Sequence, residues 1–356
     1  MRGKNSVGFI ILILSVIVLP HIITNDYYLG SLIFTGLNSL ACIGLCLLMG
    51  YAGQISIGHG AFVAIGAYGV GILTANYGWS PWLAMGCSMF MAAFVAAILG
   101  IPALRLKGHY LAMATLGFAS IVHVVTVAAV DVTGGPSGIV NIPRPNLFGY
   151  MLETDTRYFY FVWAVVIIGV YCAFNLIDSR VGRGLRALHG SEDAAASLGI
   201  PVTWYKVQIF ILSAVYASLS GSLYACYVNY IDPGPFDVSY SVLLITMVAV
   251  GGLHNIWGAL TGAVVLSLLP EFLSFISDYL RLFGIQYQQD YNTLVYGMIL
   301  LLIMLFLPEG IFSGLRSGIA RVFAVFKKPG QTSLEREPVV QSSVGKPLGS
   351  LSGHDQ

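Results

Sequence analysis

Isolated polar side chains inside apolar segments are the residues of this sequence that could contact a solute. His59 lies between two glycines, which permit close backbone approach, and it follows Gln54 and Ser56. A polar group in lipid is costly unless it faces a partner or water. We therefore predict a polar pathway for a small zwitterionic or amide solute. Its candidate residues are Asn38, Gln54, Ser56, His59, Thr115, Ser120 and Thr246. The alternative is that these groups form hydrogen bonds between helices.

The sequence contains no motif for an energy source of its own. It has no G-x-x-x-x-G-K-[ST] nucleotide loop, no H-E-x-x-H pair and no serine nucleophile elbow. Glu271 is the only carboxylate near the interior of an apolar segment, whereas an ion-driven carrier usually holds more intramembrane charge. The five cysteines lie in apolar segments, and no histidine or carboxylate completes a metal site. These absences predict a pathway that is not an enzyme and binds no cofactor.

A polar segment at 178–201 separates two strongly apolar stretches. Its spacing predicts one helix with Arg183 and Arg186 on one face, then a break at Gly190. A second short helix follows, which Ser191 caps and Glu192 and Asp193 favour through the helix dipole. Ala194, Ala195 and Leu198 are predicted to form its small apolar face, and Gly199 to end it. Such a helix suits a groove on a soluble partner. The alternative is an ordinary surface loop.

Composition places the chain in a membrane. Of its 356 residues, 57% are hydrophobic and only 9% are charged, whereas soluble domains carry about 25% charged residues. Mean hydropathy is +0.81. The formal net charge is +1, so nothing indicates a nucleic-acid partner. The composition therefore predicts an all-α, polytopic transmembrane bundle in contact with the lipid bilayer.

Apolar stretches of about 20 residues mark the candidate membrane spans. We predict about ten, the eighth of which is short enough to be a broken or re-entrant helix. They cover 7–23, 31–49, 55–75, 81–104, 110–130, 158–177, 203–230, 238–251, 256–276 and 291–307. The first resembles a signal peptide but lacks a small-residue cleavage site, so we interpret it as a retained span.

Lysine and arginine positions set the predicted orientation. With the N terminus in the cytoplasm, 14 of the 17 Lys and Arg residues fall inside, and only Arg144, Arg157 and Arg281 fall outside. The prediction is therefore N-in and C-in, with 178–201 in the cytoplasm. Residues 1–326 form the predicted membrane domain, and 327–356 form a disordered polar cytoplasmic tail.

Two glycine-rich junctions indicate a parallel internal repeat. One joins spans two and three at 50–60, and the other joins spans eight and nine at 251–258. Both contain a histidine and fall on the predicted cytoplasmic side. Two turn-rich stretches, at 131–157 and 232–235, fall on the external side. They either form a rim for an external partner or merely connect helices.

Several strings resemble one family, the LivM-type permeases of branched-chain amino-acid ABC transporters. They are GYAGQISIGHGAF at 50–62, LRLKGHYLAMATLGF at 104–118, TGGPSG at 133–138, GRGLRAL at 182–188, DAAASLG at 193–199, LLPE at 268–271 and LPEG at 307–310. The resemblance runs in order over 31–314, and the polar tail departs from it.

This resemblance implies a subunit of an ATP-driven importer of the bacterial inner membrane. The expected partners are two P-loop ATPase subunits that carry ATP and Mg²⁺, a second permease subunit and a periplasmic solute-binding protein. The segment at 182–199 would be the loop that couples to an ATPase. The expected solutes are leucine, isoleucine and valine, and urea or short-chain amides are the alternative within the class. The alternatives from other classes are a self-sufficient secondary carrier and a structural scaffold.

Overall fold

The protein was analysed as a computed structural model that describes residues 3–314, except 24, 105–107, 148–149, 153, 283–289, 308–309 and 313. Its helices, in chain order, are α1 (Gly3–Ile22), α2 (Asp26–Cys46), α3 (His59–Gly71), α4 (Pro81–Ala103), α5 (His109–Ala128), α6 (Val130–Thr133), α7 (Asp155–Asp178), α8 (Arg180–Gly190), α9 (Glu192–Ser197), α10 (Val202–Val228), α11 (Val238–Gly251), α12 (Ile256–Leu282) and α13 (Asp290–Phe306). Single π-turns extend α2 over Leu47–Tyr51 and α3 over Ile72–Asn76.

Six of the described helical segments are long and apolar enough to cross a membrane. They are Asp26–Tyr51, Pro81–Ala103, His109–Ala128, Asp155–Asp178, Val202–Val228 and Ile256–Ser277. Shorter apolar helices occupy Ser6–Ile22, Val238–Gly251 and Leu294–Ile303. The all-α membrane class is confirmed, and each predicted span contains a helix. The number of spans and the orientation stay predictions. Arg105, Lys107, parts of the 307–310 motif and the predicted tail lie outside the described residues.

The third predicted span differs most from its helix. The prediction begins at residue 55, but α3 begins at His59, and the chain from Gly53 to Gly58 is not helical. Hydropathy alone misses this break because the interrupting residues are as apolar or as small as those of a helix. One of them, Ile57, donates its backbone N–H to Thr115 of α5 instead of to a helical carbonyl.

The α2 helix lies at the centre of the bundle. Over the most apolar 18 residues of this helix and its π-turn, 83% of the residues are buried, whereas the corresponding share for α5 is 28%. It packs against α7, α10, α11 and α12, whereas α4 and α5 lie at the periphery. Large apolar side chains cover the outer surfaces of those two helices, among them Phe90, Phe94, Ile98, Met113 and Ile121. A surface of this kind is unfavourable in water and suits lipid.

Two short antiparallel ribbons lie in the connections at one end of the bundle. Strand β1 (Ile139–Val140) pairs with β4 (Tyr230–Ile231), and β2 (Asn146–Leu147) pairs with β3 (Tyr150–Met151). The first ribbon joins the two turn-rich stretches into one structure. Arg144 ties the adjacent chain to α7 and α10, because its guanidinium pairs with Asp155 at 3.4 Å and donates to the carbonyl oxygen of Tyr227 at 3.3 Å. The two stretches are therefore packed together.

Glycines allow a very close helix contact between α3 and α10. A Cβ at Gly66 would lie 2.0 Å from the carbonyl oxygen of Ser218, and one at Gly221 would lie 1.9 Å from that of Val63. Small residues permit such backbone approach in membranes, where dispersion and hydrogen bonding drive association. Any side chain at either position would push the two helices apart.

We predict that Gly66→Ala lowers the thermal stability of the purified protein in detergent by an amount typical of overpacking, about 1–3 kcal/mol. The new methyl group would meet backbone, which cannot rotate away. Gly86→Ala is the matched control, because nothing lies within 4 Å of a Cβ there. Thermal unfolding followed by intrinsic fluorescence measures both. Equal midpoints for the two variants would contradict this account of the contact.

Candidate functional site

The predicted cytoplasmic segment folds as two helices, as its sequence indicates. Ser179 caps α8 by accepting a hydrogen bond from the backbone N–H of Val181 at 3.1 Å. Leu185 and Leu188 share the buried face of α8. The predicted break at Gly190 is confirmed, because α8 ends there. The two helices therefore arise from local capping and from one buried apolar stripe.

The arginines of α8 bond to the helix that precedes them. Arg186 donates from Nη2 to the carbonyl oxygen of Ile177 at 2.8 Å, and Arg183 donates to that of Asp178 at 3.3 Å. Both carbonyls belong to the last turn of α7, whose dipole favours positive charge. Arg183 and Arg186 thus fix the angle between α7 and α8, while both residues remain exposed to solvent.

The α9 helix has the predicted cap, but its apolar face is divided. Ser191 accepts a hydrogen bond from the N–H of Ala194 at 3.3 Å. Ala195 is buried against the protein, whereas Ala194 is exposed and Leu198 is 80% exposed. At about 100° per residue, Leu198 lies between Ala194 and Ala195 around the helix, so the three residues occupy one arc. Ala195 lies at the edge of this arc that turns toward the protein, and the outward apolar surface is that of Ala194 and Leu198.

An ion pair that sequence reasoning missed holds α9 in place. The ammonium of Lys206, in the first turns of α10, lies 2.5 Å from the carboxylate of Glu192, and the Lys206 side chain is only 3% exposed. A buried ammonium requires such a partner. Glu192 therefore stabilises the fold of the segment, in addition to contributing negative charge to its surface. The sequence feature that could have predicted this ion pair is Lys206 itself, a lone lysine just inside a long apolar stretch.

The end of α8 also meets both glycine-rich junctions. The imidazole Nε2 atoms of His189 and His254 lie 3.2 Å apart, so one ring must be neutral to accept the hydrogen bond. A Cβ at Gly50 would overlap the carbonyl oxygen of Leu253 at 1.7 Å. We call this contact region the junction end of the bundle. Among the described residues, no three His, Cys, Asp or Glu side chains could hold a metal ion.

The two junctions touch, yet their relation as a repeat stays a prediction. What the structure adds is proximity, since the turn after α2 and the turn after α11 pack on one another beside α8. Any shift of α8 would therefore displace both turns.

The α3 helix begins inside the bundle, some distance from the junction end. His59, its first residue, lies 2.6 Å through Nε2 from the hydroxyl of Ser213. Ser213 is 11 residues beyond the start of α10 at Val202, which corresponds to about 16 Å along the helix. The non-helical residues 53–58 lead from the junction end to His59. We call them the break.

The α11 helix also begins inside the bundle, against the same point. Its cap is Asp237, whose carboxylate accepts from the N–H of Tyr240 at 3.1 Å. The N–H of Gly60 donates to Ser241 on α11 at 2.9 Å. Non-helical backbone at this depth is tolerated where it is buried in protein or lines a water-filled cavity. Broken helices of this kind form the binding sites of many transporters.

Four of the predicted pathway residues meet at the break. Thr115 accepts from the N–H of Ile57 at 3.0 Å, and Ser56 accepts from that of Gly58 at 3.4 Å. Gln54 and His59 are buried beside them. The Nδ1 atom of His59 is buried and has no hydrogen-bond partner among the described atoms.

The other three predicted pathway residues lie elsewhere. Ser120 and Thr246 bond to carbonyls four residues earlier in their own helices, and Ser120 is exposed. Asn38 lies beside a separate cavity between α2, α11, α12 and α13. The predicted set is thus divided into the break, the cavity and two positions within single helices.

Apolar outer helices, two helices that begin inside the bundle and a polar helical pair at one end together define a polytopic membrane permease. The chain belongs to the family of permease components of branched-chain amino acid transport systems, whose family model matches residues 27–304. The match includes the break, α8, α9 and the cavity.

Curated relatives include permeases for branched-chain amino acids and for a sugar. The high-affinity branched-chain amino acid transport system permease protein LivM of Salmonella typhimurium is 30% identical over 292 residues, which cover 76% of this chain and 66% of the relative. The chain therefore spans just under two thirds of that protein's length. The ribose import permease protein RbsC of Escherichia coli is 26% identical over 86% of this chain and 93% of the relative. No solved structure shows a significant match.

We predict that Glu192→Gln loosens α9, because the neutral amide leaves the Lys206 ammonium uncompensated. The cost should be about 2 kcal/mol, below the roughly 3–5 kcal/mol of a fully buried pair, since the Glu192 side chain keeps 28% exposure. Hydrogen exchange at the amides of Ala194 to Leu198 should accelerate accordingly.

The matched control is the double variant Glu192→Gln with Lys206→Met, which removes both charges and retains an apolar side chain of similar length. It should restore slow exchange. Exchange in the double variant as fast as in Glu192→Gln would show that charge compensation is not what holds α9.

Proposed function

We propose that the chain is the membrane-spanning subunit of an ATP-driven importer of leucine, isoleucine and valine in the bacterial inner membrane. The observation that carries this proposal is the 30% identity to LivM over 76% of the chain. The described helices supply the physical support, because they place broken helices inside the bundle and a polar helix pair at one end.

Energy would come from other chains. The sequence holds no nucleotide-binding loop, so the expected complex contains two P-loop ATPase subunits that bind ATP and Mg²⁺. It also contains a second permease subunit and a periplasmic solute-binding protein. The chain itself would perform no chemical step. It would alternate between outward-facing and inward-facing states as the ATPases close and open.

The contact with an ATPase would be the outward face of α9. Ala194 and Leu198 are its exposed apolar groups. Ser191, Glu192, Ala195 and Gly199 would shape and anchor the helix, and Arg183 and Arg186 would orient α8 beneath it. Asp193 adds charge to the first turn of α9. An apolar side chain that is 80% exposed, as Leu198 is, suits the apolar core of a protein interface.

A sugar importer is the second candidate, because the ribose permease aligns over 86% of the chain. Two observations favour amino acids. The identity to LivM is higher, and the cavity beside Asn38 is mainly apolar. Urea and short-chain amides would also need a more polar site.

We predict that the complex, co-purified with the tagged chain from its native membranes and reconstituted in vesicles, imports radiolabelled leucine only with ATP and the binding protein present. Leu198→Asp should abolish both ATPase co-purification and uptake, since a charge replaces the apolar contact. Asn76→Asp, which adds the same charge at the opposite end of the bundle, should change neither. Uptake without ATP would establish a secondary carrier, and import of ribose but not leucine would establish a sugar importer.

The proposed orientation has the N and C termini inside and places α8 and α9 in the cytoplasm. We predict that a cysteine at Ser191 reacts in intact cells only with membrane-permeant thiol reagents. Cys87 and Cys172 are exposed on the helices, so both are first replaced by alanine. Labelling of the Ser191→Cys protein by an impermeant reagent from outside would contradict the proposed orientation.

A further inference from the structure

A cavity of about 530 Å³ lies between α2, α11, α12 and α13. This volume is within the range of small-molecule sites. Its walls are mostly apolar, and its polar groups form two separate clusters. The chemistry of those clusters defines what the cavity could hold.

The first cluster contains a carboxylate. Glu271, on α12, accepts a hydrogen bond from the hydroxyl of Ser31 on α2 at 2.9 Å, and the hydroxyl of Tyr27 lies beside it. Glu271 is half-buried. In the described part of the chain no lysine, arginine or histidine forms an ion pair with it. A carboxylate in an apolar span is stabilised by a cation, so this position suits a ligand's ammonium group.

The second cluster contains neutral donors. The Tyr240 hydroxyl donates to Oδ1 of Asn38 at 2.9 Å, and Nδ2 of Asn38 donates to the hydroxyl of Ser267 at 3.0 Å. Tyr240 thus fixes the amide so that its N–H groups face Ser267. After these bonds, Asn38 retains one N–H and Ser267 retains its O–H for a ligand. Both are donors, as an anionic oxygen requires.

The two clusters are close enough for one small molecule. Ser267 and Glu271 are four residues apart on α12, so they lie on one face, about 6 Å from each other. The remaining wall is aliphatic and aromatic. It comprises Phe34, Leu243, Met247, Leu266 and Leu273. A carboxylate, a pair of donors and an apolar wall therefore surround one volume.

We propose that this cavity binds a free α-amino acid with an aliphatic side chain. Glu271 holds the α-ammonium, Asn38 and Ser267 hold the α-carboxylate, and the apolar wall holds the side chain. The inference rests on the proposed function and locates its solute within this chain. A sugar would bury several hydroxyls against the apolar wall without hydrogen-bond partners, and each such hydroxyl is unfavourable.

The test uses the purified full complex in detergent without the binding protein, and measures the rise in melting temperature with added ligand. Three probes separate the clusters. L-leucine carries both charges, 3-methylbutylamine carries only the ammonium, and 4-methylpentanoate carries only the carboxylate. The wild-type complex should respond to leucine and, at higher concentration, to the amine, but not to the carboxylate.

The variants distinguish binding from structure. Glu271→Gln should raise the half-maximal concentration for both leucine and the amine by about tenfold or more, the size expected for a hydrogen bond to a charged group. Ser267→Ala should raise it for leucine but not for the amine. Asp131→Asn, which alters an exposed carboxylate outside the cavity, should change neither.

An unchanged response of Glu271→Gln to 3-methylbutylamine would overturn the assignment of the ammonium. Equal losses for both probes in Ser267→Ala would overturn the assignment of the carboxylate, because a merely structural defect affects every ligand. The ATP-driven uptake of leucine by the reconstituted wild-type complex tests the proposed function separately. If uptake succeeds while the variants bind as the wild type does, the importer stands and the cavity is not its site. If the wild-type complex imports no leucine, both proposals fall.

Discussion

Backbone polar groups that lie within a membrane must be satisfied by the protein itself, and the break at 53–58 depends on this constraint. The N–H groups of Ile57 and Gly60 would be unpaired if α3 simply began inside an apolar bundle. Thr115 on α5 and Ser241 on α11 accept them. Thr115, a predicted pathway residue, therefore also supplies a hydrogen bond that permits the irregular backbone.

The α10 helix connects the break with α9. Lys206, near its start, pairs with Glu192 of α9, and Ser213 contacts His59 at the start of α3. Seven residues separate these contacts, or about 10 Å along the helix. Glycine contacts with α3 leave no room for slippage between the two helices. A displacement of α9 would therefore be transmitted to the break through one rigid element, as the proposed function requires.

The cavity is joined to the break through the first turn of α11. Tyr240 donates its backbone N–H to the Asp237 cap and its hydroxyl to Asn38. One residue thus participates in the start of a half-helix and in the positioning of an amide that lines the cavity. Under the proposed function, movement of α11 would change the donors offered to the solute as well as the space around it.

The sequence by itself determined what local physics controls. Hydropathy located the helices, while Gly190 and Ser191 divided α8 from α9, because capping involves neighbouring residues. The resemblance of its motifs gave the family. Tertiary structure decided the start of α3 at His59, the pairing of Lys206 with Glu192, and the separation of Asn38 from the other polar residues. It also turned Ala195 inward and left Leu198 exposed. Each of these outcomes depends on contacts between groups in different segments of the chain. The spacing of residues within one segment cannot identify such partners.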